Sequence, residues 1–432
     1  MYKPRIYAIV CGFLAGTLLG PPAMAGSQAR IVRLSEVHGA VQIDKNSGLG
    51  FESAFANLPI TQGTQLRTRE NGGAEIEFED GSTLRVTPNT TVEFNTLGLS
   101  DAGKRISEVE VVEGRAYVNW LGKSGDEFTL TFSQEKVMLG QAAHFRVANS
   151  SGRAEIANFK NDLEVVGPSG RVKIGKNKMV SFDVNDDDHS TVAKNLEQDP
   201  YDEWDKQSIE YHDQYAKNNS TPYGYGYSDL SYYGGYSNVA GYGTLWQPYL
   251  AGAGWNPFMD GAWSWYPGMG FMWASAYPWG WMPYYYGNWT YAPGFGWGWQ
   301  PGGWNTWHGG IHYVGLAAAG FHPPVAPTGT VSTVVVGRGG AVTTQAPAMN
   351  TLVNRGSAGL GVPRGSVGSL HQLDKQVAKA GSVELHGARP FAATSHVGAF
   401  GYSAAAHPIS GAGHMSAGSA GHASGGGGHS GH

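Results

Sequence analysis

The runs in this sequence whose residue types and spacing could do chemistry are few, and most fail at one position. Gly170-Arg171-Val172-Lys173-Ile174-Gly175-Lys176 has the spacing of a phosphate loop, but Asn177 stands where a Ser or Thr hydroxyl must reach the metal. Its intervening residues also alternate like a strand. Asp183-Val184-Asn185-Asp186-Asp187 opens like a calcium loop, yet Asp188 replaces the required Gly and Lys194 the bidentate Glu, which leaves a solvated acidic turn. There is no Gly-x-Ser-x-Gly elbow, no His-Glu-x-x-His helix and no compact carboxylate pair in an apolar setting. His407, His414, His422, His429 and His432 lack helical or turn spacing, so they imply adventitious nickel or copper affinity and no dedicated metal centre. The sequence points to no catalytic residue, no cofactor and no metal.

Aromatic residues carry the strongest pattern. Gly234 to Trp246, Gly261 to Trp273 and Gly287 to Trp299 align without gaps, starting 27 and 26 residues apart. All three have Gly at positions one, eight and ten, an aromatic at three, Ser or Thr at four and Trp at thirteen, which marks a tandem array of one small unit. Each unit reads as a β-hairpin, and copies two and three turn at Pro-Gly-x-Gly. With odd positions on one face, Trp263 pairs with Trp273, Trp265 with Phe271, Trp289 with Trp299, and Tyr291 with Trp297. Trp263, Trp265, Trp273, Trp289, Tyr291, Trp297 and Trp299 are thus the candidate ligand or partner surface, since exposed rings stack on sugars or hold cations at roughly 0.5–2 kcal/mol each. The competing expectation is structural and takes precedence, because a Gly-rich array has few other apolar groups from which to build a core.

The elements that must position these residues follow from periodicity. Residues 30–185 read as an all-β domain, with alternation in Val37/Val41/Ile43, Ala74-Ile76-Phe78, Leu84-Val86, Val109-Val111, Ala116-Val118-Trp120, Phe128-Leu130-Phe132, Phe145-Val147 and Val180-Phe182-Val184. Ile76, Phe78, Leu84, Val111, Val118 and Phe145 are expected in its core. Around Asp80-Gly81, a two-residue loop would put Leu84 on the wrong face. A three-residue loop, Glu79-Asp80-Gly81, pairs Ile76 with Leu84 and Ala74 with Val86 and needs Gly81 in the left-handed region.

A connecting segment, 194–217, is expected to hold a helix over 199–217, with Asp199 as N-cap, Pro200 in the first turn and Tyr201, Trp204, Ser208, Tyr211 and Tyr215 on one face. The aromatic repeats occupy 218–307. Residues 308–432 are rich in Gly, Ala, Ser, Pro and His and are expected to form a low-complexity, largely disordered tail, in which Ser369 to Ala380 has the pattern of one helix. The fold class is therefore mainly β: an all-β domain, one connecting helix, Trp-rich hairpins and a tail.

Composition and the N-terminus bound the setting. Lys3 and Arg5, the apolar run Ile6 to Leu19 and Ala23-Met24-Ala25 form a signal peptide over 1–25, with the mature chain expected to begin near Gly26. An apolar run of about 14 residues is short for a bilayer that needs roughly 20. No transmembrane span is expected after cleavage. The single cysteine, Cys11, leaves with that peptide, which excludes disulfides, thiolate metal sites and cysteine nucleophiles in the mature chain. A net charge of −5 without a basic cluster gives no footprint for nucleic acid.

Residues 35–185 resemble the FecR domain of bacterial iron-citrate signalling regulators. The resemblance rests on Gly39-Ala40-Val41, Leu66-Arg67-Thr68, Gly72-Gly73-Ala74, Phe78-Glu79-Asp80-Gly81-Ser82-Thr83-Leu84, Val112-Glu113-Gly114-Arg115-Ala116-Tyr117-Val118 and His144-Phe145-Arg146-Val147. One departure is Ala143-His144, where the family has Gly-Thr. Members that regulate sigma factors carry a cytoplasmic region before a membrane helix, and only five residues precede the apolar run here, so that role does not transfer. The repeats are similar to a region of unknown function that follows FecR-like domains in exported proteins, and more distantly to choline-binding modules. The resemblance implies a non-enzymatic, all-β extracytoplasmic module that contacts other proteins or envelope components; with the signal peptide, the chain is expected in the periplasm, at the cell surface or secreted, and its expected partner is another envelope protein. The alternative is a carbohydrate or cell-wall polysaccharide binding module using the Trp repeats.

Overall fold

The computed structural model describes residues 30–386 and 391, except 124, 169, 187–188, 194, 330–331 and 338–349. The expected signal peptide and the five tail histidines lie outside the described residues.

Two β-sheets built from residues 32–193 share one apolar core. In the first, antiparallel neighbours run Pro59–Ile60, Val32–His38, Gly73–Glu77, Thr83–Val86, the second half of Arg105–Trp120, Ala143–Ser150, Arg153–Lys160, Lys178–Asp183 and His189–Ala193. The second sheet includes Val41–Asp44, Gln65–Thr68, Thr91–Leu99, the first half of Arg105–Trp120, Glu127–Phe132, Glu135–Leu139, Leu163–Gly167 and Gly170–Ile174. The long strand changes sheet at Gly114, where Glu113 still pairs with Thr91 and Gly114 already pairs with Asn149. Only glycine fits that corner: its φ is 91°, and a Cβ would lie 2.4 Å from Thr90 Oγ1 and 2.5 Å from Asn89 O.

Ile76, Phe78, Leu84, Val111, Val118 and Phe145 are all in the core. The hairpin has the expected three-residue loop: Ile76 pairs with Leu84 and Ala74 with Val86, Phe78 N–H donates to Ser82 O at 2.8 Å, and Gly81 has φ 92°. Asp80 fixes the loop by accepting from Ser82 N at 2.8 Å and Ser82 Oγ at 2.7 Å.

Helix α1 spans Asp202–Tyr215, three residues later than expected, and its N-cap is Tyr201. Asp199 is drawn away from the capping role by the β-domain, since its carboxylate meets Arg115 at 2.6 Å and Tyr117 Oη at 2.7 Å. A short helix, α2 (Tyr227–Tyr233), follows and runs into the first repeat. No helix among the described residues is long and apolar enough to cross a membrane.

The three repeats are β-hairpins, Gly234–Val239 with Gly243–Pro248, Gly261–Tyr266 with Gly270–Ser275, and Asn288–Ala292 with Gly296–Gln300. Trp263 pairs with Trp273, Trp265 with Phe271, Trp289 with Trp299 and Tyr291 with Trp297, as their spacing predicts. A sequential array is not what they build. The first and third hairpins join in one sheet through Trp246 and Trp299, while the second pairs with Val334–Val336 in a sheet of its own. The second is held apart by the β-domain, whose core takes in Ala262 and Ala274 and whose Pro59 O accepts from Tyr266 Oη at 2.7 Å.

Residues 350–386 fall within the expected low-complexity tail but are folded, with a helix where the pattern of Ser369 to Ala380 predicts one. Asn350–Asn354 pairs with Ser382–His386, and helix α4, which comes after the short α3 (Met282–Tyr285) between the second and third hairpins, spans Leu370–Ala380 with Ser369 as its cap. Val353, Val362, Leu370, Leu373 and Val377 are buried in the aromatic core, enough apolar surface to offset the ordering of a Gly-rich segment.

Candidate functional site

The structure corrects the expected aromatic surface. Trp263, Trp273, Trp289, Trp297 and Trp299 are no more than 5% exposed, and only Trp265 and Tyr291 are half-buried. The reason lies in the repeat itself. A Cβ at Gly234, Gly261 or Gly287 would come within 2.3, 2.5 and 2.8 Å of the indole of Trp246, Trp273 and Trp299 respectively, so the first Gly of each copy is the floor on which its last Trp lies. The glycines at positions eight and ten all have positive φ and make the turns. Trp279, between the second and third copies, is the hub: its ring lies 4.9 Å from Trp246, 5.0 Å from Tyr277 and 6.0 Å from Trp255, Tyr284 and Trp289. Each such pair contributes roughly 0.5–1.5 kcal/mol beyond area burial. With the rings spent on one another, sugar binding by the Trp ladder loses its main support.

What the sequence did not reveal is a buried ionic cluster where the β-domain, α1, α2 and the C-terminal segment meet. Period two sends Ile76 and Leu84 to the core and therefore sends Glu75, Glu77 and Arg85 to the opposite face, which α1 and α2 cover. Arg33, Glu75, Glu77 and Arg85 are at most 1% exposed. Arg85 bridges Glu75 and Asp205, both at 2.8 Å, and Arg33 bridges Glu77 at 3.0 Å and Asp229 at 2.6 Å. Arg364, from the C-terminal segment, grips Asp229 with two nitrogens at 2.8 and 2.7 Å, meets Glu75 at 2.8 Å and donates to Ser35 O at 3.0 Å. His212 Nε2 lies 3.0 Å from Glu75 and Nδ1 3.1 Å from Ser228 Oγ, while His144 Nε2 lies 2.7 Å from Asp205.

Electrostatics explain why the cluster tolerates burial. Burial pushes the Glu75 carboxyl up, but His212, Arg85 and Arg364 together hold it well below the usual carboxylate range. Asp229 is likewise lowered, burial being outweighed by Arg364 and Arg33. Burial prevails at Glu77, whose carboxyl is raised despite His212 and Arg33. His212 is raised because Glu75 and Glu77 outweigh its own desolvation. The guanidinium groups of Arg33, Arg85 and Arg364, with His212, face the carboxyl groups of Glu75, Glu77, Asp205 and Asp229. Every one of these carboxylates has at least two donors, an arrangement that fixes charge and offers no open position to a substrate.

No group of three or more His, Cys, Asp or Glu side chains among the described residues could hold a metal ion. One signal of the cluster was present in the sequence: His144, where the FecR pattern has Thr, is the residue that reaches Asp205 of α1.

Residues 64–164 match the family described as FecR protein, and residues 227–325 match a family of unknown function, DUF6600. Two crystal structures of a candidate anti-sigma factor from Parabacteroides distasonis, at 1.65 and 2.50 Å resolution, are similar at 19% identity with a TM-score of 0.27. The aligned part covers 31% of this chain and 60% of theirs, so the chain spans less than two thirds of the length of those structures. No curated protein matches. The chain carries a FecR-family domain followed by a DUF6600 domain, and Arg33, Glu77 and Asp229 join the two.

Proposed function

We propose that this chain is a non-enzymatic exported envelope protein in which the FecR domain and the aromatic domain act as one rigid body that contacts another envelope protein. The observation that supports this reading is the ionic cluster. Its charges are consumed in fastening the two domains together, and no titratable group in it is left open for acid–base or nucleophilic work. The signal-peptide pattern of residues 1–25 supports export.

The test is a capture experiment from envelope extracts, using the mature chain and a variant carrying Arg33→Met with Arg364→Met, which removes both cations that hold Asp229. A stoichiometric partner retained by the wild type and weakened in the variant is the expected result. A partner bound equally well by both would sink the rigid-body reading, and turnover of any extract component by the purified chain would sink the non-enzymatic one.

A further inference from the structure

The first repeat hairpin and α4 enclose a groove of about 240 Å³. We propose that this groove binds one pyranose ring bearing a carboxylate, an acidic sugar unit of an envelope polysaccharide. The site is separate from the Trp ladder and does not rest on the protein-contact reading above.

Four observations carry it. First, the walls combine aromatic and polar groups as sugar recognition requires: Tyr236 and Tyr249 beside Gln247, Arg355, His371 and Asp374. Tyr236 is 46% exposed, far more than the other aromatic residues at position three of the repeats, Trp263 and Trp289. Its ring is therefore available for stacking on a sugar face.

Second, hydrogen-bonding capacity is unspent. Arg355 and His371 are exposed and have no hydrogen-bond or ion-pair partner among the described residues; the one close contact of the His371 ring is with Tyr249, at 5.3 Å. Asp374 uses Oδ1 to accept from Leu250 N at 3.0 Å. A free guanidinium favours a carboxylate, which it can hold through two parallel hydrogen bonds, and Oδ2 of Asp374 can accept from a sugar hydroxyl.

Third, the backbone beneath the groove is held in place. Leu250, a bulky buried residue, has φ 65°, a conformation that persists only when its surroundings impose it. Here Asp374 holds its N–H while Gly356 N at 2.7 Å and Ala358 N at 3.2 Å donate to its carbonyl. The same bonds tie the loop after the hairpin to α4 and to the segment bearing Arg355, so the backbone of the three segments that line the groove is joined before a ligand arrives. Fourth, the volume falls below the roughly 300–1,000 Å³ of sites for drug-sized molecules, which limits the occupant to about one ring.

Isothermal titration of the mature chain with a trimer of galacturonic acid and, separately, a trimer of N-acetylglucosamine tests the proposal. The acidic trimer should bind one to one, roughly tenfold tighter than the neutral one, with affinity falling as salt rises. Tyr236→Ala should weaken it by about two- to tenfold. Arg355→Gln should abolish the preference for the acidic trimer. Both side chains are exposed, so unchanged melting temperatures will show that the fold is intact. Absence of saturable binding, a neutral trimer that binds as well as the acidic one, or binding that survives both substitutions would overturn the proposal.

Discussion

Arg364 offers the sharpest test of the ionic cluster, because it lies far along the chain in a segment whose composition suggests disorder. Replacing it with Met keeps an apolar stem of similar length and removes the charge. Asp229 then loses its two-nitrogen partner but keeps Arg33 at 2.6 Å and Tyr211 Oη at 2.8 Å; Glu75 loses one of three cationic partners and keeps Arg85 and His212. Breaking a buried pair costs about 3–5 kcal/mol, and the partners that remain place this substitution near 3 kcal/mol. Equilibrium urea unfolding of the mature chain, followed by hydrogen exchange over α1, α2 and residues 355–377, measures the loss and locates it. Glu164→Gln is the control, since the Arg171–Glu164 pair is 70% and 38% exposed and is worth about 0–1 kcal/mol. A cost for Arg364→Met no larger than that of the control would mean that the cluster is solvated.

His212 gives the pH dependence. Its folded pKa is raised above the ordinary 6.5, so its contribution is complete below about pH 6.5 and is lost as pH rises through the folded value; unfolding free energies at pH 6 and 8.5 should differ less in His212→Gln than in the wild type. Gly261→Ala places a Cβ 2.5 Å from the Trp273 ring and 2.7 Å from Ala274 O and should cost about 3 kcal/mol by thermal unfolding. Gly268→Ala, in open space at φ 73°, should cost about 1 kcal/mol in the same assay. For Phe78→Ala in the FecR core, about 3–5 kcal/mol is expected, and a value near zero would mean that the strand alternation was misjudged. Mass spectrometry of the native protein should find a mature N-terminus near Gly26 and no intact Met1.

Strand alternation made one face of each strand legible and misled on the other. Ile76 and Leu84 were placed correctly because apolar residues have one destination, whereas Glu75, Glu77 and Arg85 have the pattern of a solvated face. Their burial depends on what covers them, and α1, α2 and Arg364 are 100 to 300 residues further along the chain. Local turn chemistry, by contrast, was readable to the residue at Gly81 and in the repeat glycines, because the demand for positive φ is met within a few residues. Repeat order was legible and repeat packing was not. Nothing in three similar hairpins says that the first and third will share a sheet while the second is taken by the β-domain.

Fastening by Arg364 also has a meaning in time. Arg364 and Ser35, whose carbonyl it holds, are 329 residues apart, one of the longest closures among the described residues. Glu75 and Arg85 lie close in sequence and can meet as soon as their hairpin forms. As domains fold in order from the N-terminus, the FecR sheets assemble first, with one face of charged residues still in water. The aromatic domain must then dock on that face, and its last cation arrives only when residue 364 is free to fold. Closure over so long a loop is slow relative to local pairing. A truncation that ends before Arg364 would therefore leave Asp229 and Glu75 without that cation.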